Sequence, residues 1–395
     1  EAYMSRLTPE DGGGGLLEVP CGRGKTVIAL NVIAQLGRKT LVIVHKTFLL
    51  NQWVERIQQF LPGARVGRIQ GQEVDIEEKD IVIGMLQSLS MKDYAQGTFS
   101  SFGLTIVDEC HHISSEVFSR SLLKIVTPCT LGLSATMQRK DGLTPVFKMF
   151  LGEVAYKETQ RTGDPVLVKA IKYSHSDPEF GSDITDYRGN PAYSSMVTKL
   201  CDFSHRSEFI LKVMTHELTV LEGQQVMILS QNKSLLSYLY HAIQHRELGS
   251  VGFYVGGMKE VALKATESCR IVLATYAMAA EALDIKTLTT LILATPRTDV
   301  RQAVGRILRA KHERPLVVDI VDMHQVFRSQ WKKREAYYRR QGYTLTQCNS
   351  AAYPQGPWKE LRGEKKKKKP GAAGRRASPG GLRPGSGCML KLPQE

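Results

Sequence analysis

One short stretch constrains this chain more than any other: Leu16-Leu17-Glu18-Val19-Pro20-Cys21-Gly22-Arg23-Gly24-Lys25-Thr26-Val27-Ile28-Ala29-Leu30. An apolar run gives way to a proline and two glycines, then to Lys-Thr, then to helical spacing that ends at Gly37. The pattern predicts a strand, a tight loop and the start of a helix. Such a loop aims several backbone N–H groups and the positive end of a helix dipole at one point, which is what a nucleotide's phosphates need. In that role Gly22, Arg23 and Gly24 form the cradle, Lys25 reaches the β- and γ-phosphates, and Thr26 ligates Mg²⁺. Val19 stands where the full G-x-x-x-x-G-K-[ST] pattern has its first glycine, so a Gly-rich turn without a ligand is the plain alternative.

The rest of the chain repeats the strand-then-helix rhythm. Thr40-Leu41-Val42-Ile43-Val44 reads as a strand buried on both faces, with His45-Lys46 at its carboxyl end. Thr47 is placed to cap a helix whose apolar positions Leu49, Leu50, Trp53, Val54, Ile57 and Phe60 recur at three- and four-residue spacing. That spacing makes Trp53 a core residue rather than a platform for a nucleic-acid base. Further apolar runs at 81–84, 103–107 and 130–133 each end in polar residues. Strands alternating with helices imply a parallel sheet covered on both sides, and ligands of such sheets sit at the carboxyl ends of the strands. A second series at 166–171, 226–229, 251–255, 270–274, 291–294 and 316–320 predicts a second α/β unit of similar size, with a helix near 208–215. The expected divisions are 1–155, 156–345 and a basic low-complexity tail at 346–395.

Composition narrows the classes. At 395 residues and 42% hydrophobic, the chain can bury two or three cores. Its seven cysteines are scattered without a C-x-x-C pair, which argues against a disulfide framework or zinc ribbon and for a reducing compartment. No apolar stretch is long enough to span a bilayer and no signal-peptide layout opens the chain, so an intracellular, non-secreted, membrane-free protein is expected. Glu1 in place of Met suggests a fragment. The net charge is +14, of which +8 falls in the last fifty residues, around Lys365 to Lys369. That tail is expected to be disordered, either merely solvated or acting on DNA or RNA phosphates or as an import signal.

A phosphate loop needs an acidic partner at the end of another strand. Ile106-Val107-Asp108-Glu109-Cys110-His111 supplies it: Asp108 would hold the metal, and Glu109 would polarise the attacking water as general base. Cys110, His111 and His112 diverge in direction as consecutive residues and have no partner pair at zinc spacing. Positive charge for the transition state is offered by Gln302-Ala303-Val304-Gly305-Arg306-Ile307-Leu308-Arg309, where Arg306 and Arg309 are three apart and expected on one helical face.

In order along the chain, Gly22-Arg23-Gly24-Lys25-Thr26, Asp108-Glu109-Cys110-His111, Ser134-Ala135-Thr136 and Gln302 to Arg309 resemble motifs I, II, III and VI of superfamily 2 helicases. The resemblance spans nearly all of 15–345. It implies two RecA-like domains with ATP between them and a nucleic-acid strand running across both. By this match His111, Ser134, Ala135 and Thr136 couple hydrolysis to domain movement, and Gln302 joins the catalytic motif. Thr275 with Ala280-Glu281-Ala282-Leu283-Asp284 resembles motif V, placing Thr275 near the nucleic-acid backbone and Asp284 near the nucleotide. His45-Lys46 resembles motif Ia, and the segment holding Gln87 and Ser88 resembles Ib or Ic, both backbone-contacting. Gln302 stands where RNA-unwinding DEAD-box proteins have His, and Pro-Cys-Gly before the lysine is similar to XPB-type DNA helicases. The segments 131–150 and 275–309 look closest to the transcript-release helicases of poxviruses and their homologues in giant DNA viruses. Ala282 replaces a common Gly, Ala303 a common Arg, and no adenine-reading Gln motif precedes Leu16.

The resulting expectation is a monomeric, Mg²⁺- and ATP-dependent helicase or translocase engaging duplex DNA, with transcription or replication machinery as partners. If viral, it would sit in the host cytoplasm, the virus factory or the virion. The alternatives are an RNA helicase and a non-catalytic nucleic-acid-binding module.

Overall fold

Runs of Val, Ile and Leu with no polar interruption can be satisfied only where helices cover both faces of a sheet, and that is where they lie. The computed structural model describes residues 1–361 except 9–11, 21–22, 111–114, 136–143, 159–165, 221–222, 282–284, 286, 308–311 and 313. The first sheet is built from β1 (Gly13–Glu18), β2 (Thr40–Val44), β3 (Val66–Gln70), β4 (Glu73–Val74), β5 (Ile81–Met85), β6 (Leu104–Val107), β7 (Cys129–Ser134) and β8 (Val154–Lys157). Their order across the sheet is β4-β3-β5-β2-β6-β7-β1-β8. All neighbours are parallel except β3 and β4. Every residue of β2, β5 and β6 is buried. Alternation divides them: Val42, Val44, Ile83 and Ile106 join Trp53 in the core on one face, while Leu41, Ile43, Val82 and Val107 join Phe102 on the other.

The second sheet comprises β9 (Leu167–Tyr173), β10 (Gln225–Ser230), β11 (Val251–Tyr254), β12 (Ile271–Thr275), β13 (Leu288–Leu293), β14 (Leu316–Asp322), β15 (Thr344–Asn349) and β16 (Lys359–Glu360). The order is β11-β12-β10-β13-β14-β9-β15-β16, parallel throughout except for β15 with β16. Ion pairs reinforce this second lobe from within. Arg206 grips Asp322 through Nε and Nη2 at 2.7 Å each, with both side chains fully buried. Arg334 and Tyr338 converge on Asp319 in the same way.

Two expectations need correcting. Thr47 is the first residue of the helix Thr47–Phe60, and the extended residue before it, Lys46, is the cap; no side chain bonds the helix end. The second sheet also runs past residue 345. β15 lies parallel to β9, β16 returns along it, and the Leu361 N–H donates to Leu345 O at 2.8 Å. Residues 346–361, expected to begin the tail, are therefore folded around buried Cys348 and Tyr353, with Trp358 edge-on to Tyr353. Apolar residues that sparse leave no periodic trace. Among the described residues no helix is long and apolar enough to cross a membrane.

Candidate active site

The carboxyl ends of five adjacent parallel strands of the first sheet line up. Registers Val44↔Met85, Ile43↔Val107, Val107↔Gly132 and Glu18↔Ser134 set the strand ends level. Across this edge the sheet presents Gln87 and Ser88 after β5, His45 and Lys46 after β2, Asp108 and Glu109 after β6, Ser134 and Ala135 at β7, and the loop to Lys25 after β1. Two backbone bonds tie neighbours together. The Asp108 N–H donates to Ile43 O at 3.0 Å, and the Val19 N–H donates to Ser134 O at 2.9 Å.

The loop becomes a helix at Gly24, whose φ of 76° is left-handed and favours glycine; Lys25–Leu36 follows with Gly37, also left-handed, as its end. Lys25 Nζ donates to Glu109 Oε1 at 2.6 Å, with the side chains only 10% and 19% exposed. Glu109 reaches it because its own backbone turns left-handed, at φ 46°. A side chain in that conformation costs about 1 kcal/mol, so the surrounding contacts must hold it there.

Asp108 is buried beneath this pair. Its Oδ1 accepts the Glu109 N–H at 2.9 Å, and its Oδ2 accepts the indole N–H of Trp53 at 2.9 Å. Burial pushes the Asp108 carboxyl up to about 6, the Glu109 charge adds to the rise, and Lys25 and the Trp53 bond oppose it. The neighbouring Cys110 thiol is pushed up to about 12, again by burial first. The Thr26 hydroxyl and the Asp108 carboxylate are hard oxygen donors, the set Mg²⁺ prefers, and each Asp108 oxygen keeps a lone pair beyond the bond it accepts.

The remaining expected residues divide. Ser134 is fully buried at the end of β7, and Ala135 is half-buried beside it. Burial lowers the Lys46 ammonium. Gln87 is exposed, while Ser88 Oγ accepts the Gly71 N–H at 2.9 Å and so braces the β3–β4 turn. In the second lobe Thr275 ends β12 opposite Ser230. The helix Arg301–Val304 carries half-buried Gln302 and stops before Gly305, so Arg306 lies in the turn beyond it, and the helical face expected to be shared with Arg309 falls outside the described residues. Arg306 is buried, with Nε donating to Ala279 O at 2.7 Å. Arg301 is held charged mainly by Asp299, and the field of Glu18 at the end of β1 also reaches it. Gly22, His111, Thr136, Asp284 and Arg309 lie outside the described residues.

One partner escaped the sequence reading. Trp53 is core, at 1% exposure, yet its N–H fixes the Asp108 carboxylate. The available signal was chemical: a fully buried indole still needs an acceptor for its N–H.

Comparison with known proteins agrees with this geometry. The family model described as type III restriction enzyme, res subunit, matches residues 3–139. The protein "Putative ATP-dependent RNA helicase" of Acanthamoeba polyphaga mimivirus is 37% identical over 343 residues, covering 85% of this chain and 66% of that one. A likewise named protein of African swine fever virus is 29% identical over 368 residues, covering 86% and 70%. Among solved structures, S. cerevisiae Dbp5 bound to RNA and ADP BeF3 aligns with a TM-score of 0.60 at 11% identity, covering 88% of each chain. The fold is thus a tandem RecA-like one, and with the phosphate loop and its acidic partner it defines a P-loop ATPase class. Within that class the chain belongs to the superfamily 2 helicases, which hydrolyse ATP.

Proposed function

We propose that this chain is an ATP-driven translocase on duplex DNA, Mg²⁺-dependent and stimulated by its track. The observation that carries the proposal is the Lys25–Glu109 pair set above buried Asp108 at one sheet edge. Within the pair each charge offsets the other. An incoming triphosphate competes for Lys25, the pair opens, and Glu109 becomes able to take a proton from water. Thr26 and Asp108 would hold Mg²⁺, which when bound supplies charge neutralisation on the phosphates. Arg306 and Arg309 are assigned to the γ-phosphate, and Gln302 to the same motif. His111, Ser134, Ala135 and Thr136 are assigned to coupling. Gly22, Arg23, Gly24 and Asp284 are assigned to the nucleotide. His45, Lys46, Gln87, Ser88 and Thr275 lie on or beside strand ends, where a phosphodiester backbone could cross.

DNA is favoured by Gln302 and by the restriction-enzyme family model. A second reading keeps the motor and changes the track, because the viral relatives are named RNA helicases. These relatives also suggest a setting in the transcription of a DNA virus, with the motor acting as a monomer. The test is phosphate release stimulated by duplex DNA against single-stranded RNA at matched salt. Greater stimulation by duplex DNA is expected, with Glu109→Gln inactive. Greater stimulation by RNA would move the proposal to the second reading, and nucleic-acid binding without any turnover would leave only a binding module.

A further inference from the structure

The helix Thr47–Phe60 touches three places at once. Its inner face buries Leu49, Leu50, Trp53 and Ile57, and from that face the Trp53 N–H reaches Asp108 Oδ2. Its outer face, at the i and i+4 positions Asn51 and Glu55, meets the helix Glu260–Glu267 of the second lobe. Asn51 Nδ2 donates to Glu260 Oε2 at 2.7 Å, and Lys264 Nζ donates to Glu55 Oε1 at 2.9 Å. Its first turn follows directly on Lys46, and Phe48 packs against the cores of both lobes.

We infer that Trp53 is a positioning residue for the metal-binding carboxylate of Asp108, and that the helix Thr47–Phe60 carries displacement of the second lobe to that carboxylate. The inference rests on the proposed ATPase site. An indole at 1% exposure has no room to follow Asp108 independently, so it moves only with its helix. Hydrogen bonds weaken steeply with angle, and a buried carboxylate depends strongly on each bond it accepts. The lobe contacts suit a reversible latch: the Glu55 and Lys264 side chains are 57% and 59% exposed, where ion pairs are weak and readily remade. A rigid element therefore joins a soft contact at one end to a demanding one at the other.

The test is Trp53→Phe, which keeps an aromatic ring and removes the donor. The Mg²⁺ concentration giving half-maximal binding of a fluorescent ADP, without turnover, is expected to rise about tenfold, the loss of one hydrogen bond to a charged group. The thermal midpoint should stay within a few degrees. An unchanged Mg²⁺ midpoint in the folded variant would overturn the inference. If Trp53→Phe does not fold, the double variant Trp331→Phe/Trp358→Phe leaves Trp53 as the sole tryptophan of three. Its emission should then shift when Mg²⁺ and ADP are added together, and no shift would overturn the inference. For the second half, Glu260→Ala/Lys264→Ala should keep basal phosphate release and lower its stimulation by nucleic acid several-fold; unchanged stimulation would overturn the latch. A wild-type protein that nucleic acid does not stimulate would sink the translocase reading, while the Mg²⁺ shift would still be measurable.

Discussion

Lys25 and Glu109 share one hydrogen bond, but the proposed function puts them at opposite ends of the reaction, so their variants should separate. Lys25→Met removes the cation assigned to the phosphates and takes the Lys25 charge away from the largely buried Glu109. Nucleotide binding by calorimetry is expected to disappear, and turnover with it. Glu109→Gln keeps the shape and the Lys25 contact, so binding should survive while phosphate release falls by about 10²–10⁴, the usual value of a general base. Equal loss of binding in both variants would mean that the pair is only structural. A second charged contact belongs to stability. Arg206 and Asp322 are completely buried, and Arg206 also donates to Ala294 O at 2.8 Å, tying the ends of β13 and β14 together. Asp322→Ala strands a buried guanidinium and should cost about 3–5 kcal/mol in urea unfolding. A loss below 1 kcal/mol would show that Arg206 finds another acceptor.

At the scale of elements, the strand that feeds the phosphate loop is the least obvious one. β1 opens with Gly13, Gly14 and Gly15, residues that weaken a strand, and the sequence reading began it only at Leu16. The reason for glycine is proximity. A Cβ at Gly14 would lie 2.7 Å from Leu151 O and 2.5 Å from Thr130 Oγ1, and one at Gly152, whose φ is 89°, would lie 2.6 Å from the Gly14 backbone. Gly14→Val is accordingly expected to push β8 and the end of the helix Thr144–Leu151 away, costing about 1–3 kcal/mol. An unchanged urea midpoint would show that the edge gives way freely. The same contrast explains what could be read in advance. Doubly buried β2 and β5 announce themselves as unbroken apolar runs, and their polar successors mark the site because parallel sheets bind ligands at that end. Short edge strands such as β4 and β16, two residues each, owe their existence to a neighbour's open edge rather than to their own composition. The Trp53–Asp108 bond and the burial of Arg306 depend on tertiary packing, which no local pattern records.

At the scale of the molecule, each lobe has cores on both faces of its own sheet, and Phe48 packs against one core of each. It sits one turn before Asn51, on the helix that carries the Trp53 contact, so the apolar and polar parts of the lobe contact share a single element. Phe48 is half-buried, and burying a whole phenylalanine is worth about 1.5–3 kcal/mol, so its ring, shared between the two cores, contributes at most about 1 kcal/mol to holding the lobes together. That is enough to change the population of the closed arrangement up to about fivefold without unfolding either sheet. Phe48→Ala is therefore expected to increase the radius of gyration in solution scattering and to reduce nucleic-acid-stimulated phosphate release, while basal release and the urea midpoint change little. Phe60→Ala is the matched control: the ring ends the same helix, is 44% exposed, and belongs to neither shared contact. If both variants behave alike, or if Phe48→Ala lowers the urea midpoint as much as it lowers stimulation, Phe48 is only a core residue of the first lobe, and the lobes are held by other contacts.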